Sequence, residues 1–404
     1  MDSNIVGQST SSQTSNASRF QGIYTSGATW TASANSGAGQ NVMPVAGTLK
    51  NLYIQCDAGP GVGITRSYFI NIANGANPLR VDLAGSGTGA GVSFGSDTNQ
   101  VHNQSFAAGD VVSLFTGASG TTTGTGTTRW SLTASCAPNT SMLLSGSGAA
   151  MGTTFPVYLS VQSGNLNATS AGAVEAVMPT AGTIKNAYVQ LNTAIATSTN
   201  LTFTLYKNGS PTSLAVVINT ATATGNDTNA GHAVTVAAGD RLYWTVSTTA
   251  VPATKTSFIS VEFDPTINGE SVHMFGGVTS QTALSVRYQT IAQSGLAYLA
   301  TEPGREVLTQ AATWQKLYVY EQTSIIPGSY AYIPMINGVA HGPTVTISSG
   351  QTGNDTSTTY DTSVGDTISM RITPTSTPPS TLVEWGIVSY IAPSYFLSLM
   401  GVGT

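Results

Sequence analysis

Three diverged copies of one unit of about 130 residues run along the chain, and this repeat limits the fold more than any other feature. The segment MPVAGTLKN at 43–51 returns as MPTAGTIKN at 178–186, and a weaker version, AATWQKLYV, stands at 311–319. When the copies are matched on their lysines, the spacings are 135 and 131 residues, from Lys50 to Lys185 and then to Lys316. A period of this size indicates duplicated domains, because solenoid repeats are much shorter.

Turn signals recur in the same order within each copy. An Asn-Gly hairpin signal, in which both residues tolerate positive φ, stands at 74–75, 208–209 and 337–338. An Ala-Gly-Thr turn contains Gly47 and Gly182. A Gly-polar-Asp-Thr turn contains Asp97, Asp227 and Asp355, and a Gly-Asp turn contains Asp110, Asp240 and Asp366. We interpret these aspartates as turn caps whose carboxylates accept hydrogen bonds from backbone N–H groups.

The segments between the turns alternate with period two, which indicates β-strands. After the first Ala-Gly-Thr turn, for example, Leu52 and Ile54 share one face while Tyr53 takes the other. No window shows a sustained helical period. The sequence therefore predicts an all-β protein of three tandem antiparallel β-sandwich domains, with a jelly roll preferred over other sandwich topologies.

Short, turn-like joins near Pro138 and Asn268 divide the chain. We predict sandwich repeats at 21–137, 138–268 and 269–404, preceded by a polar N-terminal arm at 1–20. The arm is rich in Ser, Gln and Asn, which is typical of a segment that is disordered or ordered only against a partner.

Charge is scarce in this sequence. Charged residues make up 8% of the chain, and the net charge is −5. Binding to nucleic acid would require a basic face, and no cluster of Lys and Arg provides one, so nucleic acid is not an expected partner. The first 18 residues do not resemble a secretory signal, and no apolar run is long enough to predict a membrane span.

No residues stand out as catalytic, metal-binding or cofactor-binding. The four histidines lack metal-ligand spacing, so no metal is expected, and no cofactor is expected either. Calcium binding by the turn aspartates is the alternative to capping, but each stands nearly alone among Thr and Asn. A Gly-x-Ser-x-Gly match at 91–95 leads into a turn and not into the helix that a serine hydrolase requires.

Two further sets of residues leave alternatives open. Cys56 and Cys136, both in the first copy, are either two buried free thiols or a disulfide that closes this domain. The recurrent Tyr53, Tyr188 and Tyr318 either pack at a domain or subunit interface or stack on a glycan.

The composition and the tandem Met-Pro-x-Ala-Gly-Thr-x-Lys-Asn units resemble jelly-roll-like virion surface proteins, namely capsid decoration, turret and fibre proteins of phages and other viruses. The resemblance covers about 42–391. It implies a non-enzymatic virion surface protein that self-associates as a homo-oligomer, commonly a trimer, and is anchored by one end to other virion proteins such as the major capsid protein. A host surface glycan is a further candidate partner.

The alternative is a secreted or cell-surface glycan-binding adhesin with the same tandem β-sandwich domains. Its localisation would be extracellular or at the cell surface, where the first reading predicts the virion surface. Under the virion resemblance, the third copy, which lacks Met-Pro and the Ala-Gly-Thr turn, is expected to form a different interface.

Overall fold

A computed structural model describes residues 1–9, 13, 16–24, 30–32, 39–72, 78–85, 92–121, 126–146, 150–151, 154–162, 168–196, 199–250, 254–277, 280–281, 285–292, 297–303, 305–325 and 327–391. Within these ranges the regular elements are 31 β-strands and three short 3-10 helices, Gln100–His102, Ala171–Ala173 and Ala230–His232. The prediction of an all-β protein built from β-sandwiches is confirmed. The first Asn-Gly signal, at 74–75, lies outside the described residues.

Domain 1 contains ten strands in two antiparallel sheets. They are β1 (Asp2–Ser9), β2 (Arg19–Gln21), β3 (Asn41–Val42), β4 (Gly47–Cys56), β5 (Thr65–Ile72), β6 (Arg80–Ala84), β7 (Ser93–Asp97), β8 (Gln104–Phe106), β9 (Val111–Ala118) and β10 (Thr128–Cys136). The first sheet has the order β1-β10-β4-β7, with β8 also paired to β4. The second has the order β2-β9-β5-β6, with β3 also paired to β9.

Domain 2 repeats this plan. Its strands are β11 (Ser141–Gly146), β12 (Val157–Leu159), β13 (Ala176–Val177), β14 (Gly182–Leu191), β15 (Leu201–Lys207), β16 (Ser210–Ile218), β17 (Thr224–Asp227), β18 (Val234–Val236), β19 (Arg241–Thr248) and β20 (Ser257–Pro265). The first sheet is β11-β20-β14-β17, with β18 on β14, and the second is β12-β19-β15-β16, with β13 on β19.

Domain 3 has one strand more. Its strands are β21 (Glu270–Gly276), β22 (Arg287–Gln289), β23 (Val307–Leu308), β24 (Ala312–Glu321), β25 (Ser329–Ile336), β26 (Val339–Ala340), β27 (Val345–Ile347), β28 (Thr352–Asp355), β29 (Tyr360–Thr362), β30 (Thr367–Thr375) and β31 (Val383–Tyr390). The first sheet is β21-β31-β24-β28, with β29 on β24. The second is β22-β30-β25-β26, with β23 on β30 and β27 on β25.

All three domains share one strand order. When the eight main strands of a domain are counted along the chain, the first sheet reads 1-8-3-6 and the second reads 2-7-4-5. This order is that of a jelly roll, which the period-two pattern alone could not distinguish from other sandwiches.

Residues 2–9, which we expected to belong to a polar arm, form β1 instead. This strand pairs with β10 from Asp2↔Ser135 to Ser9↔Thr128 and is the first strand of the first jelly roll. Its polar residues Ser3, Asn4 and Gln8 are at most 3% exposed. The arm interpretation failed because these polar side chains are buried where the domains meet, a burial that composition does not reveal.

Each of β4, β14 and β24 contains a β-bulge, at which a residue has positive φ. That residue is Asn51 (54°), Asn186 (50°) or Lys316 (56°), and the strand pairing shifts register at the same point. Lys316 is therefore the counterpart of Asn51 and Asn186, so the match of Lys316 with Lys50 and Lys185 was wrong by one residue. The recurrent tyrosines, two residues after each bulge, are true counterparts.

The three domains close into a ring. The short strand β3 of domain 1 packs on β11, β14 and β20 of domain 2, and β13 of domain 2 packs in the same way on the first sheet of domain 3. The ring closes when β23 of domain 3 packs on β1, β4 and β10. The first strands of the domains, β1, β11 and β21, meet one another at the centre.

Burial shows how tightly the ring is joined. Strands such as β4 and β5 alternate between buried and half-buried residues, as expected for a sheet with one covered face. By contrast, β11 and β21 are buried at every position. Met142 and Leu144 of β11 join the apolar core of domains 1 and 3, and Val272 and Met274 of β21 join that of domain 2.

Gly7→Ala tests whether residues 2–9 form a packed strand. A Cβ at Gly7 would lie 2.3 Å from Cε2 of Trp130, a fully buried ring whose Nε1 donates a hydrogen bond to Ile23 O. We expect a loss of about 1–3 kcal/mol in the free energy of unfolding, measured by urea denaturation.

Gly117→Ala on β9 is the matched control, because the nearest atom to its Cβ would be 3.8 Å away. A Gly7→Ala variant as stable as this control would contradict the placement of β1.

Candidate functional site at the interdomain contacts

The recurrent tyrosines lie on the face of the first sheet that points toward the neighbouring domain. Each is paired with a small residue on the next strand: Tyr53 with Ser131, Tyr188 with Ser260, and Tyr318 with Gly386. A Cβ at Gly109 in domain 1 would lie 3.6 Å from Cε1 of Tyr188 in domain 2. Tyr188 therefore has the position of an interface residue within the chain.

The other two tyrosines occupy the same face. Tyr53 stacks on Phe94 with ring centroids 6.1 Å apart, and a Cβ at Gly365 of domain 3 would lie 3.6 Å from that Phe94 ring. Tyr318 is half-buried at the equivalent position of β24. Two residues further on, Tyr320 lies under the guanidinium group of Arg241 from domain 2, 4.4 Å from the ring centre.

The residues around the Met-Pro of the repeat, 176–179 in domain 2, pack against the next domain, and we call them the docking segment. Met178 is fully buried and exchanges backbone hydrogen bonds with the Gly-Asp turn, to Asp240 O and from Gly239 N, each 2.8 Å long. The adjoining Val177 and Pro179 reach domain 3 at Gly386, where a Cβ would lie 2.0 Å from Val177 O. The motif thus anchors the segment in its own domain and presents it to the next one.

In the third copy this docking segment uses hydrogen bonds. Gln310, which stands where the other copies have proline, donates from Nε2 to Ser131 Oγ (3.1 Å) and to Asn51 O (3.2 Å) in domain 1. Thr309 Oγ1 accepts a hydrogen bond from Asn4 Nδ2 at 3.3 Å. The third copy therefore docks through side-chain hydrogen bonds at the position where the other copies have proline.

Glycines at the start of the repeat allow close packing and do not supply a turn conformation. Gly47 and Gly182 are the first residues of β4 and β14, and neither has positive φ. A Cβ at Gly182 would lie 2.5 Å from Asp264 O, and one at Gly47 would lie 2.7 Å from Ser135 O. These positions need glycine because the neighbouring strand approaches closely.

Buried charges also join domain 3 to domain 1. The Arg129 side chain is 3% exposed and forms ion pairs with Asp57 of its own domain, at 2.5 Å, and with Glu306 of domain 3, at 3.2 Å. It also donates to Pro303 O at 2.7 Å. Since a buried guanidinium must keep its partners, this cluster fixes the relative position of the two domains.

A buried ion pair within domain 3 lies at the contact with domain 2. Lys316 Nζ contacts Glu270, a residue with no exposed surface, and Thr180 of domain 2 donates to the other carboxylate oxygen at 2.6 Å. Lys316 occupies the positive-φ bulge, a conformation that suits Asn better than Lys. The ion pair holds the lysine in this conformation.

The aspartates of the Gly-polar-Asp-Thr turns all accept hydrogen bonds from backbone N–H groups. Asp97 accepts from Arg80 N (2.9 Å) and Asn99 N (3.1 Å), while Asp227 makes the equivalent bonds to Ala215 N and Asn229 N. In domain 3, the backbone N–H groups of Thr344, Ser357 and Thr358 hold the pKa of Asp355 well below its usual range. These are the contacts of capping residues.

The Gly-Asp turns show the same chemistry. Asp110, Asp240 and Asp366 each accept a hydrogen bond from the backbone N–H three residues earlier, at 2.7–2.8 Å. The glycine before each aspartate has φ between 87° and 90°, which other residues rarely adopt. Within the described ranges, no group of three or more His, Cys, Asp or Glu side chains could hold a metal ion.

The disulfide alternative for Cys56 and Cys136 is wrong, since both are buried free thiols. Cys56 ends β4 opposite Thr128, and Cys136 ends β10 opposite Gly47. The cysteines thus lie at opposite ends of one antiparallel pair, about 27 Å apart at a rise of about 3.4 Å per residue. A disulfide requires Cα atoms within about 7 Å.

Two buried carboxyl groups in domain 3 are the strongest candidates for acid–base chemistry. Burial raises the pKa of Glu321 to about 7, and Tyr332 donates a 2.6 Å hydrogen bond to its Oε1. Burial likewise raises the pKa of Glu384 to about 8, where Gln322 donates at 2.7 Å. Neither residue has exposed surface, so a substrate could not reach them in this conformation.

The histidines lie in different environments. His102 and His232 hydrogen-bond through Nδ1 to the capping Asp97 and Asp227. His273 lies between domains, where Tyr24 of domain 1 bonds its Nδ1 and Ser389 bonds its Nε2, and burial lowers its pKa to about 3. His341 stacks on Tyr360.

Further sequence observations can be located in the structure. Ser93, the central residue of the Gly-x-Ser-x-Gly match, begins strand β7, and Gly91 lies outside the described residues. None of the helices in the described ranges is long and apolar enough to cross a membrane.

Arg129, Glu306 and Gln310 are interface residues that the sequence patterns did not predict. The signal for Gln310 was the loss of Met-Pro in the third copy, whereas no pattern connects Arg129 with Glu306. No protein-family model matches the chain, and no curated protein matches it.

Gly386→Ala tests the contact between domains 2 and 3. Because the added Cβ would clash with the Val177 carbonyl oxygen, we expect the free energy of unfolding to fall by about 1–3 kcal/mol. Hydrogen exchange of the backbone amides at 176–181 should become faster. Ser260→Ala is the control, since this equivalent position already has a Cβ, and equal stability of the two variants would contradict the contact.

Glu321→Gln tests the buried carboxyl group. The pKa of Glu321 is raised from an ordinary 4.5 to about 7, so wild-type stability falls as the pH rises through this window. Glutamine cannot ionise and can still accept the Tyr332 hydrogen bond. We expect the stability of the variant relative to wild type to rise by up to about 3 kcal/mol from pH 5 to pH 8.

The measurement is urea denaturation at both pH values. Asp361→Asn, at an exposed position of β29, is the control and should show no such difference between the two pH values. A Glu321→Gln variant whose relative stability is independent of pH would exclude the raised pKa.

Proposed function

We propose that the chain is a non-enzymatic virion structural protein, a capsid decoration protein or a component of a surface fibre or spike. The observation that carries this proposal is the closed ring of three jelly rolls in one polypeptide. Covalent linkage makes this threefold arrangement independent of protein concentration, whereas a trimer of separate chains depends on it. A dilute protein that must keep its shape outside a cell benefits from this.

The chemistry of the described residues supports a role in assembly. The turn aspartates cap turns, and the recurrent tyrosines lie on interdomain faces. Arg129 pairs with Glu306 of domain 3, and Lys316 donates a hydrogen bond to Thr180 of domain 2. On this proposal the ring binds other virion proteins, such as the major capsid protein, and further copies of itself. Binding energy would come from buried apolar area, and no reaction would be catalysed.

We assign particle anchoring to the C-terminal segment. Anchoring by one end leaves two candidates, the polar segment at 1–20 and the apolar segment at 392–404, and residues 2–9 of the first are used inside the first jelly roll. The segment 392–404, APSYFLSLMGVGT, is mostly apolar in sequence and lies outside the described residues. It is therefore the better candidate for an anchor.

The test is to locate the chain in its native source. Purified particles are analysed by mass spectrometry and by gold labelling with antibodies against the folded ring. We expect the chain in a fixed ratio to the major capsid protein and labelled on the outer surface. Recovery only in soluble or cell-envelope fractions would refute the proposal.

A variant with 392–404 replaced by a Gly-Ser segment of equal length tests the anchor separately. We expect it to fold, with wild-type thermal stability, but to be absent from the particles. Incorporation at the wild-type level would reject this anchor and leave the structural role intact.

A further inference from the structure

The outward face of the second sheet of domain 2 contains a cleft of about 450 Å³. Its walls include the side chains Pro156, Tyr158, Tyr206, Tyr243, Thr245 and Ser247. The tyrosines come from β12, β15 and β19, and the strand pairing brings them together, with Tyr206 opposite Tyr243 and Tyr158 opposite Thr245. The volume lies within the usual range for small-molecule sites.

The aromatic rings form a platform and a wall. Tyr206 stacks on Tyr243 with ring centroids 5.1 Å apart and planes 24° apart, and Tyr158 is tilted by 52° to Tyr243 at 5.9 Å. Tyr243 is only 5% exposed and supports the other two rings, which are half-buried. This geometry offers partly exposed aromatic surface to a ligand.

Hydroxyl groups supply the polar part of the cleft, and no charged side chain is among its described lining residues. Burial and the nearby Glu175 raise the pKa of Tyr243 to about 12, so its hydroxyl keeps its proton at neutral pH. The Oγ1 of Thr245 is buried and has no hydrogen-bond partner among the described residues. Because this atom has almost no exposed surface, the half-buried tyrosines and the exposed Ser247 are the groups that a ligand can reach.

The other two domains lack this combination. At the equivalent face, domain 1 has the hydroxyl-free cluster Phe20, Phe69 and Phe115. Domain 3 has Tyr288 paired with the charged Arg371. The repeat has therefore diverged at this face, and domain 2 combines three tyrosines with an uncharged, hydroxyl-rich lining.

We propose that the tyrosine cleft of domain 2 binds a neutral carbohydrate chain. A sugar ring presents an apolar C–H face, which matches the aromatic platform, and an edge of hydroxyls, which matches Tyr, Thr and Ser. An anionic or cationic ligand would find no opposite charge in the described lining. The inference does not depend on the virion role, because a protein on a cell surface could use the same cleft.

The test is titration calorimetry of the full chain with neutral hexasaccharides of glucose (α-1,4 and β-1,4 linked), mannose, galactose and xylose. We expect at least one to bind in the micromolar to millimolar range. Tyr206→Ala should weaken binding by about tenfold or more, and Tyr206→Phe, which keeps the ring, by less than about threefold.

Two variants serve as controls. Tyr360→Ala removes a tyrosine that stacks on His341 in domain 3, away from the cleft, and should leave the affinity unchanged. Ser247→Trp fills the cleft from an exposed position without removing a supporting side chain, and should abolish binding even if Tyr206→Ala fails to fold.

Three results would overturn the proposal. The first is no binding of any hexasaccharide up to about 5 mM, the weak end of the range in which such sites act. The second is sugar binding that survives both Tyr206→Ala and Ser247→Trp. The third is binding of decaproline, with no sugar bound, which would identify the cleft as a peptide groove.

Discussion

In each domain the first sheet is covered on both faces, and the ring arrangement depends on this burial. In an isolated sandwich, one face of each sheet covers the core and the other meets water. Here β11 and β21 are buried at every position, because the ring places a neighbouring domain against the second face. A single domain removed from the ring would expose this face. The three jelly rolls are therefore parts of one folding unit, although each has its own sandwich.

The repeated interface has been modified in each copy. Domain 2 docks through Val177 and Pro179 onto Gly386, a contact based on close backbone approach. Domain 3 docks through Gln310, with Arg129 and Glu306 paired beside it. Buried charges pay a desolvation penalty, so they add less stability than apolar contacts of equal area, but they specify which surfaces meet. The junction of domains 3 and 1 thus uses side-chain hydrogen bonds and a buried charge cluster, unlike the close backbone contact at Gly386.

The sequence predicted what depends on local pattern. Period-two alternation identified β4, β14 and β24, and the repeat located the capping aspartates. The contacts that depend on which strands pair, and in which register, were not predicted. The polar strand β1 resembled a disordered arm because its pairing partner β10 is far away in the sequence. The disulfide alternative was wrong because Cys56 and Cys136 lie at opposite ends of the paired strands β4 and β10.

The position of the bulge in β24 and the cleft in domain 2 also could not be predicted from the sequence. Lys316 was aligned one residue off because the third copy has lysine at the bulge where the others have asparagine. The cleft tyrosines are separated by 48 and 37 residues in the chain, from Tyr158 to Tyr206 to Tyr243, so only strand pairing could bring them together.

Ring closure also separates in time the synthesis of β1 from the formation of its contacts with domain 3. Strand β1 is translated before the other strands of the ring, yet Asn4 bonds Ser271 and Thr309, which belong to the third of the three domains. After domain 1 has been translated, about 250 further residues are needed before β31 completes domain 3 and this domain can pack against β1. Their synthesis takes roughly 10–50 seconds at about 5–20 residues per second. During this interval the uncovered sheet of domain 1 is available to other nascent chains. The burial of β1 between domains 1 and 3 thus makes the completion of the first domain depend on the synthesis of the third.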